Sequence, residues 1–294
     1  MNNKAQLQDY LELCKPRVVA LMIVTSLIAM LLATPSGNMV PLNALIWGNL
    51  GIALMGFAGG VVNHLIDRQI DTKMARTHKR PIAAGRVKPQ HAIILATLLS
   101  IFGFGVLIYY VNALTAILSF FTLMGYAVIY TVFLKRATPQ NIVIGGLAGA
   151  MPPLLGWTAV TNHIDAAALL LVLIIFTWTP PHFWALAIYR HQDYAKAEIP
   201  MLPVTHGIHY TKISILLYTF LMIAITYLPF VIRMSGTIYL VGISLLNLIF
   251  LYYAVRLYFT SDLKFGLKTF YYSIVYLFAL FIVLLVDHYY LIDL

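Results

Sequence analysis

Apolar runs of about 20 residues, separated by short polar loops, recur from Val18 to the C-terminal end of the chain. A helix rises about 1.5 Å per residue, so such a run crosses a hydrocarbon layer of about 30 Å. A bilayer-spanning backbone must satisfy its own hydrogen bonds, and runs of this length do so as helices. The composition excludes a soluble alternative: 61% of the 294 residues are apolar and 10% are charged, too little polar surface to cover a water-soluble globule. The expected fold class is therefore all-α, a polytopic membrane protein with about nine transmembrane helices. The predicted spans are Val18–Thr34, Ala44–Ile66, His91–Val111, Ala113–Leu134, Asn141–Val160, Ala166–Tyr189, Thr211–Ile232, Thr237–Tyr258 and Thr269–Val286. No second composition class interrupts them, so residues 1–294 read as a single membrane-embedded domain. The second and fifth spans are glycine-rich (Gly48, Gly51, Gly56, Gly59 and Gly60; Gly145, Gly146 and Gly149), which suits close packing inside a bundle.

Lys and Arg accumulate in loops kept on the cytoplasmic side. Alternating the nine spans puts every basic residue but Arg233 on one face, of 19 in total. The largest group, Arg68, Lys73, Arg76, Lys79, Arg80, Arg86 and Lys88, lies between the second and third spans. The N-terminus is thus expected to be cytoplasmic and Leu294 to be outside. The net charge of +9 is an orientation charge that also attracts anionic lipids and anionic substrates, and it requires no nucleic acid. A single cysteine, Cys14, excludes an intrachain disulfide and a cysteine metal cluster. The residues ahead of the first span include Asp9 and Glu12 and few arginines, unlike a mitochondrial transit peptide, so a bacterial inner (plasma) membrane is expected.

Chemistry concentrates at the expected cytoplasmic end of the second span. Asn63, Asp67 and Asp71 are spaced i, i+4, i+8 and align on one helical face, where carboxylates are otherwise costly. Oxygen donors of this kind suit Mg²⁺, which takes one or two carboxylates and completes its shell with water and substrate phosphate. A basic run follows, Lys73, Arg76, Lys79 and Arg80, ended by Pro81. Acids for a metal beside bases for phosphate oxygens are what a metal diphosphate requires. The plainer readings are a solvated helix end for the acids and cytoplasmic retention for the bases.

The stretch Asn63-His-Leu-Ile-Asp67-Arg-Gln-Ile-Asp71, continued by Met74-Ala-Arg76-Thr77-His-Lys-Arg80-Pro81, resembles the first aspartate motif of the UbiA superfamily of intramembrane prenyltransferases. The likeness extends to Tyr130-Thr-Val-Phe-Leu-Lys135-Arg136, in which Lys135 matches a diphosphate-facing lysine of that family. It implies nine helices around a central cavity. Three further segments resemble the branch that farnesylates protoheme: Lys15-Pro16-Arg17-Val18, the glycine- and proline-rich run Asn141 to Trp157, and Trp178-Thr-Pro-Pro181-His182-Phe183-Trp184. Where superfamily members commonly carry a second aspartate pair, this chain reads Tyr189-Arg190-His-Gln-Asp193-Tyr194, and the branch shares that form. Ligands for a second Mg²⁺ are thus left open, with Glu198 a distant substitute.

The resemblance implies transfer of a farnesyl group from farnesyl diphosphate to a vinyl group of protoheme IX, with Mg²⁺ on Asn63, Asp67 and Asp71. Lys73, Arg76, Lys79, Arg80, Lys135 and Arg190 are then the candidate diphosphate partners, with Asp193 beside them. Heme A synthase and terminal oxidase assembly are the implied downstream partners. His182, late in the sixth span, is a candidate heme-iron ligand, with His64 second; a hydrogen-bonded interior histidine is the plainer reading. No Ser–His or Cys–His arrangement is present for covalent catalysis, and ionisation of an allylic diphosphate needs none. Two other functions fit parts of the pattern. A quinone-precursor prenyltransferase would want the second aspartate pair, and a non-catalytic heme transporter or chaperone would leave the acid and base cluster unexplained.

Overall fold

The computed structural model describes residues 5–74 and 77–290, and every regular element among them is helical. Eight helices are long and apolar enough to cross a bilayer: Ala44–Asp71, Pro89–Tyr110, Ala113–Leu134, Asn141–Thr161, Ala166–Tyr189, Gly207–Val231, Thr237–Phe259 and Lys264–Tyr289. Ahead of them, Pro16–Leu32 joins the short helix Leu7–Leu13 at a bend of 49°, and counted as one broken span this pair stands first and brings the candidate spans to nine. The remaining eight are the second to ninth spans in chain order.

Departures from the expected boundaries have local causes. The second span continues five residues past Ile66, because Asp67 and Asp71 are neutralised by partners from other segments and lie on the helix rather than in a loop. The third begins at Pro89, whose missing N–H costs nothing in a first helical turn. The fifth is two helical pieces, Asn141–Ala150 and Pro152–Thr161, with Pro152 opening the second. The sixth runs unbroken through Pro180 and Pro181, which deprives the carbonyls of Phe176 and Thr177 of their usual intrahelical donors.

The fifth and sixth spans form the interior: 61% and 67% of their most apolar stretches are buried, against 22% for the third and fourth, which face lipid. The sixth packs on the fifth, seventh and ninth; the second packs on the third; the first packs on the fifth. Several buried polar groups pair across the spans, as a medium without water favours. Tyr276 donates to Asn247 Oδ1 (2.7 Å), Asn247 donates to Thr226 Oγ1 (3.1 Å) and the Tyr239 hydroxyl donates to the Thr226 carbonyl (2.6 Å). This network stitches the seventh, eighth and ninth spans together. The buried Asp287 carboxylate accepts the N–H groups of Gly236 (2.6 Å) and Tyr239 (2.9 Å) at the start of the eighth span. A helix N-terminus is a favourable place for an anion, so this acid has a structural use.

Candidate active site

Asn63, Asp67 and Asp71 are all buried on one face of the second span. The Asn63 amide donates to Asp67 Oδ2 (2.9 Å), which fixes the upper two rungs of the ladder against each other. Each rung then meets a cation from elsewhere in the chain. Lys15 Nζ donates to Asn63 Oδ1. Lys135 Nζ lies 2.6 Å from Asp67 Oδ2, and one guanidinium nitrogen of Arg80 lies 2.9 Å from both oxygens of Asp71. The loop after the span folds back to make the last contact, with the buried Thr77 hydroxyl donating to the Asp71 carbonyl (3.2 Å). Desolvating an ion costs several kcal/mol, so this arrangement is a poor device for stability. Arg80 and Lys135 match the two carboxylates, and Lys15, set on the neutral Asn63, is a basic group beyond that balance.

Local structure explains how these cations arrive. Lys15 occupies the break between Leu7–Leu13 and Pro16–Leu32 with φ of 51°, a left-handed conformation that is strained for a residue with a side chain. The break fits against the second span because Gly60 has no Cβ: one there would sit 3.0 Å from the Cys14 carbonyl oxygen and 3.1 Å from that of Leu13. Arg86 ties the short helix down through Asp9 (2.7 Å) and Glu12 (3.4 Å). Lys135 is carried by the end of the fourth span, whose last turns, Gly125–Leu134, are wound wider than an α-helix, with the Thr131 hydroxyl reaching the Tyr126 carbonyl five residues back (2.8 Å). Such wide turns are frequent at functional sites. Tyr126 and Tyr130 stack there with ring centroids 5.7 Å apart, and Tyr130 lies so close to the fifth span that a Cβ on Gly145 would be 2.0 Å from its ring.

The other predicted site residues separate into three groups. Lys73 and Asp193 line a cavity of about 350 Å³ together with Thr72, Met74, His78 and Lys196, which brings the loop after the second span to the loop after the sixth. Arg190 pairs with Asp193 (3.6 Å) and lies over the Tyr189 ring at the edge of this region. Lys79 is exposed, and Arg76 lies outside the described residues. His182 stands apart, eight residues and about 12 Å up the sixth span from Arg190. Its ring is buried between Trp178 (4.1 Å, 21°) and Phe270 (4.5 Å, 28°), with Nδ1 2.6 Å from Ser273 Oγ. His64 is buried beside the ladder, and its Nδ1 has no hydrogen-bond partner among the described residues.

Two residues at the site escaped the sequence reading. Lys15 was read as an orientation charge and as part of the Lys15-Pro16-Arg17-Val18 resemblance, and not as a partner of the ladder, although its place before Pro16, at the start of an otherwise apolar span, was a usable signal. Lys196 lies on the short helix His191–Lys196, whose approach to Lys73 is purely tertiary.

Two buried carboxylates and an amide, each met by a lysine or arginine, thus cluster at the end of a helical membrane bundle. Residues 22–285 match the UbiA prenyltransferase family, and the chain belongs to it. Among its relatives, the protoheme IX farnesyltransferase of Marinobacter nauticus is 64% identical over 283 residues, covering 96% of this chain and 93% of the relative. That of Stutzerimonas stutzeri is 60% identical over 290 residues, covering 99% and 96%. The fold is shared with a digeranylgeranylglyceryl phosphate synthase (18% identity, TM-score 0.82, 99% of this chain and 100% of the other). It is also shared with a UbiA homologue from Archaeoglobus fulgidus bound to GPP and Mg²⁺ (14% identity, TM-score 0.66, 94% and 99%).

Proposed function

We propose that this membrane protein transfers the farnesyl group of farnesyl diphosphate to a vinyl group of protoheme IX, giving heme O. The observation that carries the proposal is the buried ladder of Asn63, Asp67 and Asp71 with Lys15, Lys135 and Arg80 set upon it. The relatives at 60–64% identity, which are protoheme IX farnesyltransferases, favour this acceptor over a quinone precursor. A heme carrier without catalysis would have no use for the ladder.

The ladder fits Mg²⁺: its donors are hard oxygens, and Asp67 Oδ1 is buried without a hydrogen-bond partner among the described residues. Bound there, Mg²⁺ would neutralise charge on the departing diphosphate. Lys15, Lys135 and Arg80 are long enough to exchange their present partners for diphosphate oxygens, with Lys73, Lys79 and Arg190 farther out and Arg76 assigned by resemblance alone. Asp193 lines the same cavity as Lys73 and pairs with Arg190. As the bond from farnesyl C1 to the diphosphate oxygen breaks, the vinyl carbon bonds to C1. Water captures the resulting cation and loses a proton. The stacked Tyr126 and Tyr130 rings, deep to the ladder, offer π faces to the allylic cation. His182 is the group we assign to the heme iron. We place the N-terminus and the ladder on the cytoplasmic side of a bacterial inner membrane, where the basic loops belong.

Purified protein given heme and farnesyl diphosphate tests the proposal by release of inorganic diphosphate. Release that requires both heme and Mg²⁺, in equal amount to the heme consumed, supports it; release independent of heme contradicts it.

A further inference from the structure

Ser273, in the ninth span, is held by the sixth span at two points. The Trp178 indole N–H donates to its carbonyl oxygen (2.8 Å), and its hydroxyl lies 2.6 Å from His182 Nδ1. The same hydroxyl lies 2.6 Å from the Phe270 carbonyl, three residues back. A carbonyl only accepts, and a serine has one hydroxyl proton. If that proton pointed at His182, the Phe270 oxygen and the serine oxygen would face each other at 2.6 Å with no hydrogen between them. Both contacts are satisfied in a single allocation: Ser273 donates to Phe270, and His182 Nδ1–H donates to Ser273. The imidazole is thereby the Nδ1–H tautomer, with its lone pair on Nε2, for which no hydrogen bond is found among the described residues.

Two more features make this a fixed geometry rather than a passing one. The ring is clamped between Trp178 and Phe270, one from each of the two spans. The spans themselves approach to backbone contact nearby, since a Cβ on Gly266 would be 2.6 Å from the Ala185 carbonyl oxygen. A neutral imidazole whose far nitrogen is anchored, and whose near nitrogen carries a free lone pair, is the form that ligates iron.

We infer that Ser273 is a positioning residue for heme: it fixes the tautomer and ring orientation of His182 so that Nε2 is presented to the iron of the acceptor substrate. This rests on the assignment of His182 to heme made above. Nitrogen-15 NMR of the heme-free protein labelled at histidine reads the tautomer without any mutation; Nδ1–H at His182 is expected, and Nε2–H overturns the inference. In heme titrations followed by absorption, Ser273→Ala is expected to shift the heme spectrum and weaken heme binding about 10–100-fold, the usual effect of losing such a partner. Ser273→Thr, which keeps the hydroxyl, is expected to retain both, and Mg²⁺-dependent binding of farnesyl diphosphate is expected to stay normal in both variants. If Ser273→Ala leaves spectrum and affinity unchanged while His182→Ala alters them, Ser273 has no such role and the His182 assignment stands. If His182→Ala changes neither, the assignment itself fails, and this inference with it.

Discussion

Lys135 Nζ and Asp67 Oδ2 lie 2.6 Å apart although 68 residues separate them in the chain. The contact joins the wide turns ending the fourth span to the acid ladder of the second, and on the proposed function the lysine exchanges this partner for a diphosphate oxygen. Replacing the lysine by methionine keeps the stem and removes the charge. Lys135→Met is expected to raise KM for farnesyl diphosphate at least tenfold, a loss of about 1.4 kcal/mol, with heme affinity unchanged. Steady-state kinetics with each substrate varied in turn checks this.

On the proposed function, removal of either ladder carboxylate is expected to act on the chemical step. Asp67→Asn and Asp71→Asn are expected to leave folded, heme-binding protein whose turnover is lower by on the order of a hundredfold, since electrostatic stabilisation of a leaving group is commonly worth several kcal/mol. Near-normal turnover in both variants would take these residues out of the reaction.

Packing at the wide turns makes a separate prediction. A methyl group at position 145 would fall within 2.0 Å of the Tyr130 ring, so Gly145→Ala is expected to destabilise the protein by about 1–3 kcal/mol, the usual cost of overpacking. Thermal unfolding in detergent measures it. The double variant Gly145→Ala with Tyr130→Ala removes the clash and is expected to cost less than the sum of the two single changes.

Orientation is testable in whole cells. Ala84 is exposed in the loop after the second span and carries no backbone strain, so a cysteine there reports on which side the loop lies. Ala84→Cys is expected to resist an impermeant thiol reagent until the cells are opened. Labelling of intact cells would invert the topology.

Much of this molecule was legible in the sequence because the bilayer imposes a length rule. The fourth and sixth spans, Ala113–Leu134 and Ala166–Tyr189, fall where apolar run length puts them. The acid ladder was legible because a period of four on a helix is a statement about a single face. Lys15 and the end of the second span were harder to read, for one shared reason. Hydropathy treats a charge as the end of a span, whereas here Asp67 and Asp71 remain on the helix because Lys135, from the end of the fourth span, and Arg80, from the loop that folds back, neutralise them. The hold of Ser273 on His182 joins residues 91 apart, and no local pattern announces it.

The mass of the pigment formed from heme, farnesyl diphosphate and Mg²⁺ by the purified protein tests the central claim most directly. Run in water enriched in oxygen-18, the reaction is expected to yield heme enlarged by one farnesyl group and one hydroxyl group, the hydroxyl carrying the heavy isotope. Heme recovered at its original mass, with the farnesyl group found on another acceptor or only hydrolysed, would contradict the account.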